Sequence, residues 1–98
     1  FDTFCPLGPW IQTELSPVDA DITVRVNGEQ RQHGGIDAMV YDVPAVVSYV
    51  SSCMTLLPGD VILTGTPEGV GPLTDGDSVS VGISGIGTLT NPVRSAAP

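Results

Sequence analysis

Lysine is absent from the 98 residues. A Schiff base, a Walker-type phosphate clamp and a lysine general base all need that side chain, so none of them resides in this stretch. Positive charge as a whole is scarce: three arginines stand against eleven Asp and Glu, for a net charge of -8. Such a field repels a phosphate backbone and an anionic bilayer, which excludes nucleic acid and membrane as expected partners. Long apolar runs are missing too, and stretches such as Ala45-Val46-Val47 fall far short of the ~20 residues that a membrane span requires. Cys5 and Cys53 are too few for a disulfide framework, and their separation matches no zinc-ligand spacing, so a reduced, cytoplasmic setting is expected. The one histidine, His33, stands in Gln32-His33-Gly34-Gly35, which reads as an exposed loop. The acids form no Glu-x-Glu or Asp-x-Asp-x-Asp run, and Asp19/Asp21 and Asp75/Asp77 fall in turn-like sequence where Asp caps backbone groups.

Hydrophobic residues make up 41 % of the chain, enough for folding rather than an acidic coil, and the length allows at most one small domain. Twelve glycines and nine prolines separate short apolar runs as turns separate strands, so a strand-rich α+β fold is expected. In Ile22–Arg31, Ile22, Val24 and Val26 alternate with Thr23 and Arg25 ahead of Asn27-Gly28, the pair that a type I′ hairpin favours. Asp42 is a candidate helix cap with Pro44 in the first turn, and Val46, Val47, Val50 and Met54 keep helical spacing as far as Pro58-Gly59. This predicts one short helix over about residues 43–56. Pro58-Gly59-Asp60 and Asp75-Gly76-Asp77 echo one another as turns that start strands, one at Val61–Thr64 and one through Val79, Val81 and Ile83. Ser84-Gly85 turns the chain back into Gly87–Val93, with Leu89 inward and Pro92 at a strand end or edge, and Arg94–Pro98 frays.

The segment Leu63-Thr64-Gly65-Thr66-Pro67-Glu68-Gly69-Val70-Gly71 sets hydroxyls and glycines behind an apolar run. Glycines let backbone N–H groups converge on an anion, and a threonine hydroxyl donates beside them, which makes a carboxylate-binding corner. An ordinary Gly-rich loop between strands is an equal reading of the same residues. No lysine follows the glycines and their spacing is not that of a dinucleotide fingerprint, so nucleotide binding drops out. Glu68 reads as a solvated loop carboxylate, and Phe4, Pro6, Pro9 and Trp10 as core or interface.

Four segments, Phe1–Ile11, Val24–Glu29, Met54–Gly71 and Gly85–Val93, together resemble the second half of the conserved domain of the fumarylacetoacetate hydrolase family. The resemblance implies a mixed β-roll in a homodimeric enzyme that binds Mg²⁺, with Mn²⁺ or Ca²⁺ as alternatives. Its substrates are diketo or 2-oxo/2-hydroxy-dienoic acids, and its reactions are C–C hydrolysis, decarboxylation, or keto-enol and double-bond isomerisation. The cation chelates the oxo acid or enolate and stabilises charge developing on oxygen. Thr66 matches the family threonine that contacts substrate, with Gly65 and Thr64 beside it. The family's metal ligands, its lysine, and the His and Glu that activate water all belong to sequence ahead of the matched part. No catalytic or metal-ligating residue is therefore expected in this chain, His33 included. Residues 1–98 would be the C-terminal half of a catalytic domain, inactive alone, with an N-terminal half carrying the metal ligands. Across His33–Met39 the chain departs from the family's Asn-Thr-Ser-Asp-Met pattern, which leaves Asp37 without an assigned substrate role. The alternative is a non-enzymatic structural or interaction module.

Overall fold

In the computed structural model, which describes residues 1–16 and 19–97, the chain is organised around one antiparallel sheet of four strands. Strand β1 (Asp21–Val26) turns through Asn27-Gly28 into β2 (Glu29–Gly35), and both turn residues have the positive φ that this hairpin requires, 51° and 83°. The Asn27 side chain does a second job: its Oδ1 accepts the Ser78 N–H at 2.9 Å and its Nδ2 donates to Asp77 at 2.8 Å. That clasp ties the hairpin tip to the start of β3 (Ser78–Ile83), which runs beside β1 with Val24 opposite Val81. Strand β4 (Gly87–Pro92) completes the order β2-β1-β3-β4, and Pro92 ends an outer strand, where a missing N–H removes no shared ladder bond. The strand-rich α+β reading holds.

Period-two alternation gives the sheet two unlike faces. Ile22, Val24 and Val26 join Val79, Val81 and Ile83 on the apolar one, while Thr23, His33, Gly82 and Thr88 line a shallow groove on the other. The segment from Ile62 to Leu73 crosses the apolar face. On its far side, Phe4 and Pro6–Pro9 border a cleft of about 620 Å³ with Ile86 and Leu89, and the Trp10 ring lies against Gly87. Helix α1 (Val43–Cys53) starts where Asp42 Oδ1 accepts the Ala45 N–H at 2.9 Å. The two echoed turns share one device, a glycine at φ 92° followed by an aspartate whose carboxylate accepts an N–H three residues back, Asp60 from Leu57 and Asp77 from Thr74.

Three sequence expectations are corrected. The helix ends at Cys53, not residue 56: Met54 is already extended, and Pro58 bars its predecessor from helical backbone. Val61–Thr64 is not a strand, because this apolar run pairs with no strand among the described residues and its Ile62, Leu63 and Thr64 instead line a cavity. His33 belongs to β2 rather than to a loop, paired opposite Thr23, whose Oγ1 lies 3.0 Å from its Nδ1. At the C-terminal end, Ser95 N–H donates to Asp75 at 2.7 Å, Arg94–Ala97 has no regular structure, and Pro98 lies outside the described residues.

The apolar face is only partly covered. Ala20 and Val26 alone among the described residues are buried, whereas Val40, Leu63 and Val70 are each more than three-quarters exposed. The accessible surface is 7787 Å², against about 5300 Å² for a self-contained globule of this mass. A radius of gyration of 15.0 Å, where a compact chain of this length has about 12.6 Å, agrees.

Candidate functional site

The segment Thr64-Gly65-Thr66-Pro67 is a partition between two cavities. On one side lies a space of about 630 Å³ under the apolar face, walled by Ile22, Val24 and Val26. On the other lies one of about 340 Å³ bounded by Gly34 and Gly35, the 3-10 turn Ile36–Ala38, Met39 and the first residue of α1. All of Thr64, Gly65 and Thr66 are exposed. Gly65 has φ 99°, and a Cβ placed there would meet nothing within 4 Å, so the space before the loop is open.

The partition is seated on β2. Register slips between Val24 and Arg25, with Val24 opposite Gln32 and Arg25 opposite Gln30, so Arg31 is an extra residue in the outer strand. In a regular strand, neighbouring side chains point to opposite faces; this bulge turns both Arg31 and Gln32 toward the larger cavity. Gln32 then holds the loop, its Nε2 donating to Thr66 Oγ1 at 2.8 Å and to the Pro67 carbonyl at 2.6 Å. Two glycines allow the approach. Gly69, at φ 104°, brings its backbone onto the Arg31 carbonyl, where a Cβ would overlap the oxygen, and a Cβ on Gly34 would press to 3.2 Å from Pro67.

The remaining polar candidates lie elsewhere. Alternation puts His33 on the opposite face of the sheet from Gln32. The Asp37 carboxylate turns back past Gly35 toward Asp21 and does not line the smaller cavity. Glu68 is exposed. The carboxyl held below its usual range is Asp77, chiefly by the Thr74 N–H and then by the Asn27 amide, and it belongs to the hairpin clasp. Among the described residues, no three His, Cys, Asp or Glu side chains converge. The loop and its β2 seat bring together the Thr66 hydroxyl, the open backbone at Gly65 and, on the wall of the larger cavity, the Arg31 guanidinium. Gln32 and Arg31 are the residues that sequence reasoning missed. The Asn-Gly turn fixed the hairpin, but nothing in Glu29–Gly35 announces the bulge that aims them.

The chain belongs to the fumarylacetoacetate hydrolase family: the model described as Fumarylacetoacetate (FAA) hydrolase C-terminal matches residues 1–94. Among solved structures it is similar to a 5-carboxymethyl-2-hydroxymuconate delta-isomerase from Mycobacterium smegmatis, at 58 % identity and a TM-score of 0.93 over 96 % of this chain and 38 % of that one. It is similar as well to a maleylpyruvate hydrolase from Sphingobium sp. SYK-6 in complex with manganese(II) and pyruvate, at 42 % identity and a TM-score of 0.93 over 99 % of this chain and 38 % of that one. A Mycobacterium tuberculosis protein is 61 % identical over 94 % of this chain and 36 % of its own length. The chain thus spans well under half the length of these relatives.

Proposed function

We propose that this chain is the C-terminal part of a metal-dependent enzyme acting on a diketo or 2-oxo/2-hydroxy-dienoic acid, and that Thr64-Gly65-Thr66 forms the substrate wall of its pocket. The observation that carries this reading is the partition itself, which stands between two cavities with the Thr66 hydroxyl held from behind by Gln32 and open space before Gly65. Isomerase and hydrolase relatives support an enzyme of this family. The reaction class is C–C hydrolysis, decarboxylation or isomerisation of an oxo acid. Thr66 donates to a carboxylate or enolate oxygen, Gly65 keeps the backbone clear of the ligand, and Arg31 adds positive potential on the cavity wall. Mg²⁺ is the proposed cation, and the manganese complex of one relative supports a divalent metal. Its ligands are assigned to an N-terminal half of the same domain, in a cytoplasmic homodimer.

The test is Thr66→Ala in the complete protein. Losing one hydrogen bond to a charged oxygen, worth about 1.5–3 kcal/mol, is expected to weaken oxo-acid binding or turnover about 10- to 100-fold with Mg²⁺ affinity unchanged. Activity equal to wild type contradicts the reading. The alternative is a non-enzymatic structural or interaction module. It requires a folded 10.1 kDa chain that stands alone and binds no Mg²⁺.

A further inference from the structure

We infer that Gln32 is a positioning residue that sets the polarity of the site: it fixes the Thr66 hydroxyl as a hydrogen-bond donor toward the ligand, so that the pocket selects an anionic oxygen there. The inference rests on the substrate-wall reading above. Its ground is the geometry of one amide group. Pro67 offers a carbonyl oxygen, which only accepts, so the Gln32 atom 2.6 Å from it is the nitrogen, and that same NH₂ group reaches Thr66 Oγ1 at 2.8 Å. An amide NH₂ has two hydrogens to give and accepts nothing. Thr66 therefore receives a hydrogen from Gln32 and must direct its own elsewhere, and among the described residues its hydroxyl has no other partner. The direction left open is the space the loop faces, so the site presents an O–H to whatever enters. A carboxylate or enolate oxygen accepts such a hydrogen, whereas a donor such as an ammonium finds only the one lone pair of Oγ1 that Gln32 leaves over. The β2 bulge gives the device its aim, because without the extra residue Arg31 the amide and the guanidinium would not share one cavity.

Reversing the amide's polarity without changing its shape tests this. In the complete protein with Mg²⁺, pyruvate affinity is titrated at pH 8 and at pH 4 for wild type, Gln32→Glu, Gln32→Met and Thr66→Val, with melting temperatures alongside. An ionised Glu at position 32 accepts the Thr66 hydrogen and turns it away from the ligand. Of the charged groups, Arg31 lines the same cavity wall and Glu68 follows Pro67 in the loop, while the neighbouring His33 lies on the opposite face of the sheet. Gln32→Glu is expected to bind pyruvate about tenfold more weakly than wild type at pH 8 and to recover part of that loss at pH 4, below the ~4.3 of an ordinary glutamate, where most of the carboxyl has taken up a proton and donates again. Gln32→Met keeps the bulk without the hydrogen bonds and is expected to bind more weakly by the same ratio at both pH values. Wild-type affinity for Gln32→Glu at pH 8, or a loss that does not recover where Gln32→Met behaves alike, overturns the inference while leaving the substrate wall intact if Thr66→Val is weakened. Thr66→Val binding like wild type overturns the substrate wall, and this inference with it.

Discussion

An alanine at position 69 puts one methyl group where the chain has least room for it. The new Cβ would overlap the Arg31 carbonyl oxygen and lie 3.2 Å from the Gln32 side chain, on a backbone at φ 104° that side chains rarely adopt. The backbone strain alone is about 1–3 kcal/mol. The overlap cannot be relieved by swinging a flexible group aside, because the obstacle is main chain in a paired strand. Resistance to lifting the loop comes from the two Gln32 hydrogen bonds, about 1 kcal/mol each, and from Pro67 against Gly34. Hard-core repulsion outweighs these, so the loop lifts by about 1 Å and the bonds are lost. The expected cost is about 3–4 kcal/mol of stability, with turnover down about 100-fold because a displacement of this size removes Thr66 from productive geometry. Two controls isolate the cause. Gly71→Ala meets only Arg31 Nη1 at 3.9 Å without a positive φ, and is expected to change stability by no more than about 0.5 kcal/mol. Gly65→Ala meets nothing within 4 Å, so in the melts only strain remains, while its kcat/KM also reads the methyl placed in the ligand's space. Thermal melts and kcat/KM of the complete protein read all three. Gly69→Ala melting and turning over like Gly71→Ala refutes the seating of the loop on β2.

The hairpin clasp supplies two further expectations. Asp77 is held below its usual value of 3.8, so its ionised form stabilises the fold above that pH, and the contribution fades as pH falls through the lowered value. The melting-temperature gap between wild type and Asp77→Asn is expected to be constant near neutrality and to close below pH 3.8; a gap that widens in acid contradicts the assignment. Asn27→Ala removes both clasp bonds and puts alanine at φ 51°, which is expected to cost about 2–3 kcal/mol in denaturant titrations; a loss below about 0.5 kcal/mol shows that the clasp is ornamental.

Local rules made much of the fold legible. Asn27-Gly28 announced its hairpin, Asp42 its helix cap, and Gly59-Asp60 and Gly76-Asp77 their matching turns, because each device is complete within a few residues. Failures came where the outcome depended on a distant partner. Val61–Thr64 has a strand's composition but no ladder to join among the described residues, and His33 sits among turn-forming residues yet pairs with Thr23 in a strand. The site divides the same way. Thr66 and Gly65 stood out through their glycine-threonine context, but the Gln32 amide that orients Thr66 is separated from it by 34 residues and aimed by an unannounced bulge. The low burial of valines in α1 and β3 belongs to this class too, since apolar patterning records which face wants cover and not what provides it.

The central claim, that the Thr66 hydroxyl faces the substrate, is tested most directly by a crystal structure of the complete protein with Mg²⁺ and pyruvate. The expected result is a pyruvate oxygen within about 3.0 Å of Thr66 Oγ1, with Gln32 Nε2 still bonded behind it. Pyruvate bound elsewhere, or Thr66 turned away from it into bulk water, contradicts the account.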